Sequence, residues 1–422
     1  MSATVTTSLA GATLTGTREQ GICCYRHLPY AQAPVGELRL RPPRPLTLAG
    51  AIDATQAGPV APQLPSRLRE VMGDFEASQS EDCLHLTVWT PGADANRRPV
   101  VIWMHGGAWQ SGGGAIDWYD GARLAREGDV VVVGINYRLA ALGWLYLPGV
   151  AANLGLLDME LAIEWVRRHI AALGGDPERI TVMGQSAGGF NTALLLTREP
   201  QFTRAILQSA SIGRGCRSAA QALALTEVFM DAVGARDLDD LQALPCQALL
   251  QAQQAPAVLQ ALKDEGGARS LFCPVADGDV LPLDVDARLP EASGRADVLI
   301  GYTHDEMAAF PGGGTDEASH ALGMRIFGTP AHQWAQSAQE HGRQAWLYRM
   351  DLGPTDRYGA CHCIELPFVF GTLETFAGAP MLHGMDPAHG AGLSDAMRRD
   401  WIAFIRGGAP YPEPAPALHR YA

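Results

Sequence analysis

A serine set between two glycines, Gly184-Gln185-Ser186-Ala187-Gly188, directly follows a β-branched and apolar run at 180–183. A strand that turns sharply into a helix strains the backbone of its central residue and needs neighbours with almost no side chain. Such a turn leaves the Ser186 hydroxyl at the tip of a sheet, over a helix N-terminus whose partial positive charge favours an anion. A hydroxyl becomes a nucleophile only with a base in hydrogen-bond reach, and that base needs an orienting carboxylate. Asp305 and Glu306 stand just past an apolar run at 298–301. Acids at the C-terminal rim of a parallel strand sit where ligands bind, so either is placed to be the orienter. His362 stands apart from the other histidines. Small residues precede it in Gly359-Ala360-Cys361, and an apolar run follows at 364–370. Upstream, His105-Gly106-Gly107-Ala108 ends another apolar run. Small residues there let backbone N–H groups point at a developing oxyanion, with the N–H of Ala187 as the other half. Each such donor is worth roughly 10²–10³ in turnover. The chemistry expected is acyl transfer through a serine.

These groups meet only if a sheet brings strand ends together. Residues 99–104 and 130–136 read as continuous apolar strands, buried on both faces. Residues 156–173 show helical spacing, with Leu157, Leu161, Trp165 and Ile170 on one side, until Gly174-Gly175-Asp176-Pro177 stops them. Strand, helix, strand, tight turn, helix is the pattern of a parallel sheet with right-handed crossovers. Further strands are expected at 204–209, 296–302 and 346–351, a last helix at 394–406, and a β-hairpin at 4–26. Residues 218–264 are rich in Ala, Leu and Gln and read as several helices, a helical insertion or cap over 215–270. The expected class is α/β: one domain over 1–422 with a mostly parallel twisted central sheet flanked by helices.

The chain has 422 residues, 47% of them hydrophobic and 18% charged, enough for a large core. A net charge of −13 argues against nucleic acid or anionic membrane as partner and suits neutral or cationic small molecules. No run of apolar residues reaches membrane-spanning length, and residues 1–20 lack the basic start and apolar stretch of a signal peptide. The eight cysteines are dispersed without C-x-x-C or zinc spacing. Cys361 and Cys363 flank His362, but no further ligands are evident, so neither metal nor organic cofactor is expected. A reduced cytoplasmic protein, monomeric or a small homo-oligomer, is the simplest reading.

The chain resembles the type-B carboxylesterases, the branch of the α/β-hydrolases that includes bacterial para-nitrobenzyl esterases and cholinesterases. The resemblance rests on residues 81–91, His105-Gly106-Gly107-Ala108-Trp109, Asn136-Tyr137-Arg138-Leu139, residues 153–158, the segment around Ser186, Pro274-Val275-Ala276-Asp277-Gly278 and residues 365–371. It covers nearly the whole chain and follows the order serine, acid, histidine. It implies Ser186 as nucleophile, His362 as base and Glu306, rather than Asp305, as acid. It also implies Gly107, Ala108 and Ala187 as oxyanion donors, with Gly106 shaping their loop. A small-molecule ester is the implied substrate. The same triad could cleave amides, carbamates or lactones, because selectivity lies in pocket shape. Non-catalytic binding relatives usually lose the serine or the histidine, and both are present here. Trp109, Gln185, Met307, Phe310 and Phe368 are the expected pocket residues. The departures are specific. Gln185 replaces a glutamate and so removes a negative charge near His362. Met307 replaces a glycine, and Cys83 lacks the half-cystine partner of secreted members. The segment from Glu306 to His362 is short and the tail beyond Pro410 is clipped, which predicts a more open site.

Overall fold

The computed structural model describes residues 3–266 and 269–422. Fourteen strands follow in chain order: β1 (Ala3–Leu9), β2 (Ala12–Glu19), β3 (Ile22–Pro29), β4 (Ala51–Asp53), β5 (His85–Thr90), β6 (Arg98–Met104), β7 (Val131–Ile135), β8 (Gly175–Gln185), β9 (Arg204–Gln208), β10 (Arg217–Ser218), β11 (Val275–Ala276), β12 (Asp297–Thr303), β13 (Ala345–Met350) and β14 (Leu418–Tyr421). Among the described residues, one sheet runs β1-β2-β3-β5-β7-β6-β8-β9-β12-β13-β14, with β4 on β2; β10 and β11 pair separately. It is antiparallel from β1 to β7 and parallel from β7 through β6 to β14.

The parallel half is as expected. Side chains alternate between two apolar layers. Val100, Ile102, Met104 and Val182 enter one, with Leu194 and Ile163 from the helices on that face. Val101, Trp103 and Met183 enter the other, with Trp401 from the long helix Pro387–Ile405. Being wet on neither face, β6 is buried at every position.

Two regions differ from the sequence reading. The N-terminus is a three-stranded meander, not a hairpin. Its two turns, Ala10-Gly11 and Gln20-Gly21, hold both residues at positive φ (51° and 88°, 49° and 86°). This conformation matches the strand twist and favours glycine second. The proline-rich tail ends in β14, which extends the parallel sheet beyond β13. Residues 219–264 are helical, in Ala219–Val233, Leu238–Ala243, Cys246–Ala252 and Pro256–Asp264. Arg39 ties this stretch to the body by donating to the Leu241, Gln242 and Leu244 carbonyls. No helix among the described residues is long and apolar enough to cross a membrane. All eight cysteines are free.

Candidate active site

Gln185 ends β8 and Ala187 begins the helix Ala187–Thr197, so Ser186 is the whole of the turn. Its φ of 55° and ψ of −118° lie outside the regions an L-residue adopts at ease. The flanking glycines are sterically required. A β-carbon on Gly184 would lie 2.4 Å from the Gly188 carbonyl oxygen, and one on Gly188 would lie 2.1 Å from that of Met104. The turn is also tied down by its neighbour strand, since the Ser186 N–H donates to Gln208 O at 2.9 Å.

His362 and Glu306 meet beside Gln185, the residue that precedes the turn. Glu306 lies just past β12, 1% exposed. Its Oε1 accepts from the Thr303 N–H at 2.9 Å, and its Oε2 bonds Nδ1 of His362. With Nδ1 protonated, Nε2 keeps a free lone pair, the state a general base requires. Nε2 faces the turn: Nε2 of Gln185 donates to it at 3.2 Å and to Cys363 Sγ at 3.1 Å. The imidazole is held between Phe310 and Phe327, with ring centroids 5.1 and 4.9 Å away. The imidazole is 1% exposed, whereas Ser186 is partly exposed.

Asp305 turns the other way. It accepts from the Ala360 N–H at 2.9 Å and pairs with His304 at 3.0 Å, while its own N–H donates to Ala360 O. It therefore braces the loop that carries His362.

The loop after β6 supplies N–H groups. Gly107, Ala108 and Trp109 all have positive φ, at 110°, 56° and 61°. A β-carbon on Gly107 would fall 2.0 Å from Ser111 O, and one on Gly106 2.4 Å from Gln185 Oε1. His105 is fully buried, which pushes it down to about 4, and its neutral ring donates through Nδ1 to Gly106 O at 2.8 Å. Gln63 clasps the far side, bonding Gly112 through both ends of its amide. Among the described residues, no group accepts from the N–H of Gly107, Ala108 or Ala187. Of the three residues Ala187 is buried, and a buried N–H is rarely left without a partner, whereas Gly107 and Ala108 are partly exposed.

The expected pocket residues divide. Phe310 lies on the imidazole, and Met307 follows Glu306, nearly buried. Trp109 points into the core, its indole N–H held by Asn191 at 2.9 Å between Trp144 and Phe190. Phe368 is fully buried in the layer with Trp103. Phe327 was not singled out from sequence. It sits in a π-helical turn, Met324–Gly328, whose register no amphipathic pattern announces, although such turns frequent functional sites.

A second buried carboxyl lies close by. Glu365 accepts weakly from Gln208 at 3.4 Å, and its other oxygen has no partner. Burial first, and then the Glu306 charge, push it up to about 8. The folded protein thus holds a proton that an unfolded glutamate releases near pH 4.3. Stability contributed this way is full below about pH 4 and is lost as pH rises to about 8, by at most about 1.4 kcal/mol per unit. Glu365→Gln should flatten the fall of Tm between pH 5 and 8 in a calorimetric series; an unchanged slope would refute a protonated Glu365.

A model of the carboxylesterase family matches residues 2–319. The chain belongs to the carboxylesterase family. It is 37% identical over 394 residues to a probable N-octanoylanthranilate hydrolase of Rhodococcus erythropolis, covering 87% of this chain and 86% of that one. It is 33% identical over 451 residues to the para-nitrobenzyl esterase of Bacillus subtilis, covering 96% and 90%. A solved thermophilic para-nitrobenzyl esterase matches with a TM-score of 0.84 at 30% identity, covering 97% of this chain and 92% of its own. This carboxylesterase is accordingly an α/β-hydrolase and a carboxylic ester hydrolase. Ser186 and Glu306 fall within the stretch that the family model matches, and His362 lies beyond it.

Proposed function

We propose that this carboxylesterase works through an acyl-enzyme on Ser186, with His362 as general base and Glu306 as its orienting acid. The observation that carries the reading is the buried Glu306–His362 bond, which leaves Nε2 on the amide of Gln185, the residue next to the strained Ser186. Ser186 Oγ attacks the ester carbonyl and its proton passes to Nε2. The Gln185 amide gives up that lone pair as the serine hydroxyl takes it, in keeping with catalytic hydrogen bonds that tighten only around substrate. Glu306 holds the imidazolium. The oxyanion is met by the N–H groups of Gly107, Ala108 and Ala187, with Gly106 too small to obstruct them. Collapse expels the alcohol with the proton from His362. Water then repeats the sequence on the acyl-enzyme and restores Ser186.

One observation favours the amide as a second scissile bond. The Rhodococcus relative is named for hydrolysing an N-octanoyl compound. The same nucleophile and oxyanion donors serve both bonds, and only the leaving group differs. The test is a fluorophosphonate probe followed by peptide mass spectrometry. A single adduct on the peptide that contains Ser186, together with a nitrophenol burst equal to the enzyme concentration, is expected. An adduct on another residue, or none, overturns the reading.

A further inference from the structure

Two histidines meet just past the end of β12, near the acid but outside the ester cycle. His304 follows the strand directly, and His320 lies in the helix Glu317–Gly323. That helix packs on the acid, since a β-carbon on Gly323 would lie 3.2 Å from Cβ of Glu306. The two imidazoles stand with ring centroids 4.8 Å apart and planes at 35°. Both residues are partly exposed, so a solute reaches them from water.

Each ring is already oriented by a bond at Nδ1. His304 donates to a carboxylate oxygen of Asp305 at 3.0 Å, and His320 donates to the backbone carbonyl of His304 at 3.2 Å. Carboxylate and carbonyl oxygens only accept, so each neutral ring carries its proton on Nδ1 and its lone pair on Nε2. Among the described residues neither Nε2 makes a hydrogen bond. Metal-ligating histidines are backed in this way, because a carboxylate or carbonyl on one nitrogen fixes the tautomer and raises the basicity of the other. The separation fits as well. Two imidazoles bound to one ion at roughly 2.0–2.1 Å put their centroids roughly 3.2 Å from it, and a gap of 4.8 Å then subtends about 100° at the ion. The surroundings are acidic. Asp316 caps the helix by accepting from the Ser319 N–H at 2.9 Å, and Glu317 stands one turn before His320. With Asp305 alongside, in a chain of net charge −13, the local field draws a cation.

We propose that His304 and His320 form a two-histidine site for a divalent transition metal, Zn²⁺, Ni²⁺ or Cu²⁺, bound through their Nε2 atoms. Imidazole suits these ions, whereas Mg²⁺ and Ca²⁺ prefer oxygen ligands. Among the described residues no group of three or more His, Cys, Asp or Glu side chains is arranged to hold an ion, so water completes the coordination and binding is weaker than at a structural site. A bound ion ties the end of β12 to the helix that packs on Glu306. The site stands apart from the ester cycle, and its test does not rest on the Ser186 reading.

The test titrates the untagged full chain with zinc chloride in a calorimeter. One equivalent should bind, and Tm should rise with zinc concentration, as a ligand of the folded state requires. His304→Gln and His320→Gln should each weaken that binding by more than about 10-fold and remove the Tm shift. His383→Gln, at an exposed histidine elsewhere, should change neither. Cu²⁺ should bind more tightly than Ni²⁺ or Zn²⁺, and Mg²⁺ should not compete. A measurement on the wild type guards against a variant that folds poorly. Zinc should protect His304 and His320 from carbethoxylation by diethyl pyrocarbonate, read by peptide mass spectrometry, and leave His383 reactive. Absence of zinc binding, binding that persists undiminished in both variants, or zinc that protects neither histidine overturns the inference.

Discussion

Ser186→Ala should lower kcat on a short-chain nitrophenyl ester by about 10⁶-fold and leave Tm near that of the wild type. The size follows from the chemistry. No other hydroxyl stands on the Gly184-Gln185-Ser186-Ala187-Gly188 turn, and His362 has no substitute nucleophile to deprotonate there. The unpaired N–H groups of Gly107, Ala108 and Ala187 would survive the substitution and could still polarise a bound carbonyl. A residual acceleration of about 10³–10⁴ over water is therefore expected. The fold should be indifferent, because alanine meets the same backbone strain at φ 55° as serine does. Ser186 contributes no side-chain cap to the helix that follows it. Stopped-assay kinetics beside a calorimetric scan separate the two effects. Wild-type turnover in the variant would sink the assignment, whereas loss of activity with collapse of Tm would mean the turn itself had broken.

The serine turn was legible in the sequence because its requirements are local. Both glycines exclude a β-carbon that would strike backbone within the turn or on β6. The strands β6, β7 and β12 were legible because burial on both faces leaves continuous apolar runs. Other features depend on partners distant in sequence. Trp109 follows the oxyanion loop directly, so sequence adjacency suggests a pocket wall; a positive φ and the Asn191 carbonyl instead turn the ring into the core. Phe327 reaches the imidazole from a π-helical turn with no periodic signature. β14 hides behind prolines that normally argue against a strand. The hydrogen bonds of Gln185 to His362 and Cys363 are unreadable from composition, although the missing glutamate charge was visible.

The acid is the sharpest case. Residues 305 and 306 are adjacent, both acidic, and both past the end of β12, so the residues alone left the choice open. The structure gives them different partners, and a paired substitution tests the consequence. Glu306→Gln should lower kcat by about 10⁴-fold. The Thr303 N–H donates to one oxygen of Glu306 and demands an acceptor there. A glutamine at this position must therefore turn its NH₂ toward His362 Nδ1. That nitrogen would then have to accept, the ring proton would move to Nε2, and no lone pair would remain for the serine proton. Asp305→Asn should cost under about 10-fold, because an amide oxygen can still accept from the Ala360 N–H and hold the His362 loop. The two variants also differ in kind. Loss of the acid should appear in kcat, since the imidazolium it stabilises forms only during the reaction. Loss of the brace should appear mainly as a lower Tm. If Asp305→Asn proves the crippled enzyme and Glu306→Gln the active one, the acid has been misassigned and the buried Glu306–His362 bond is structural.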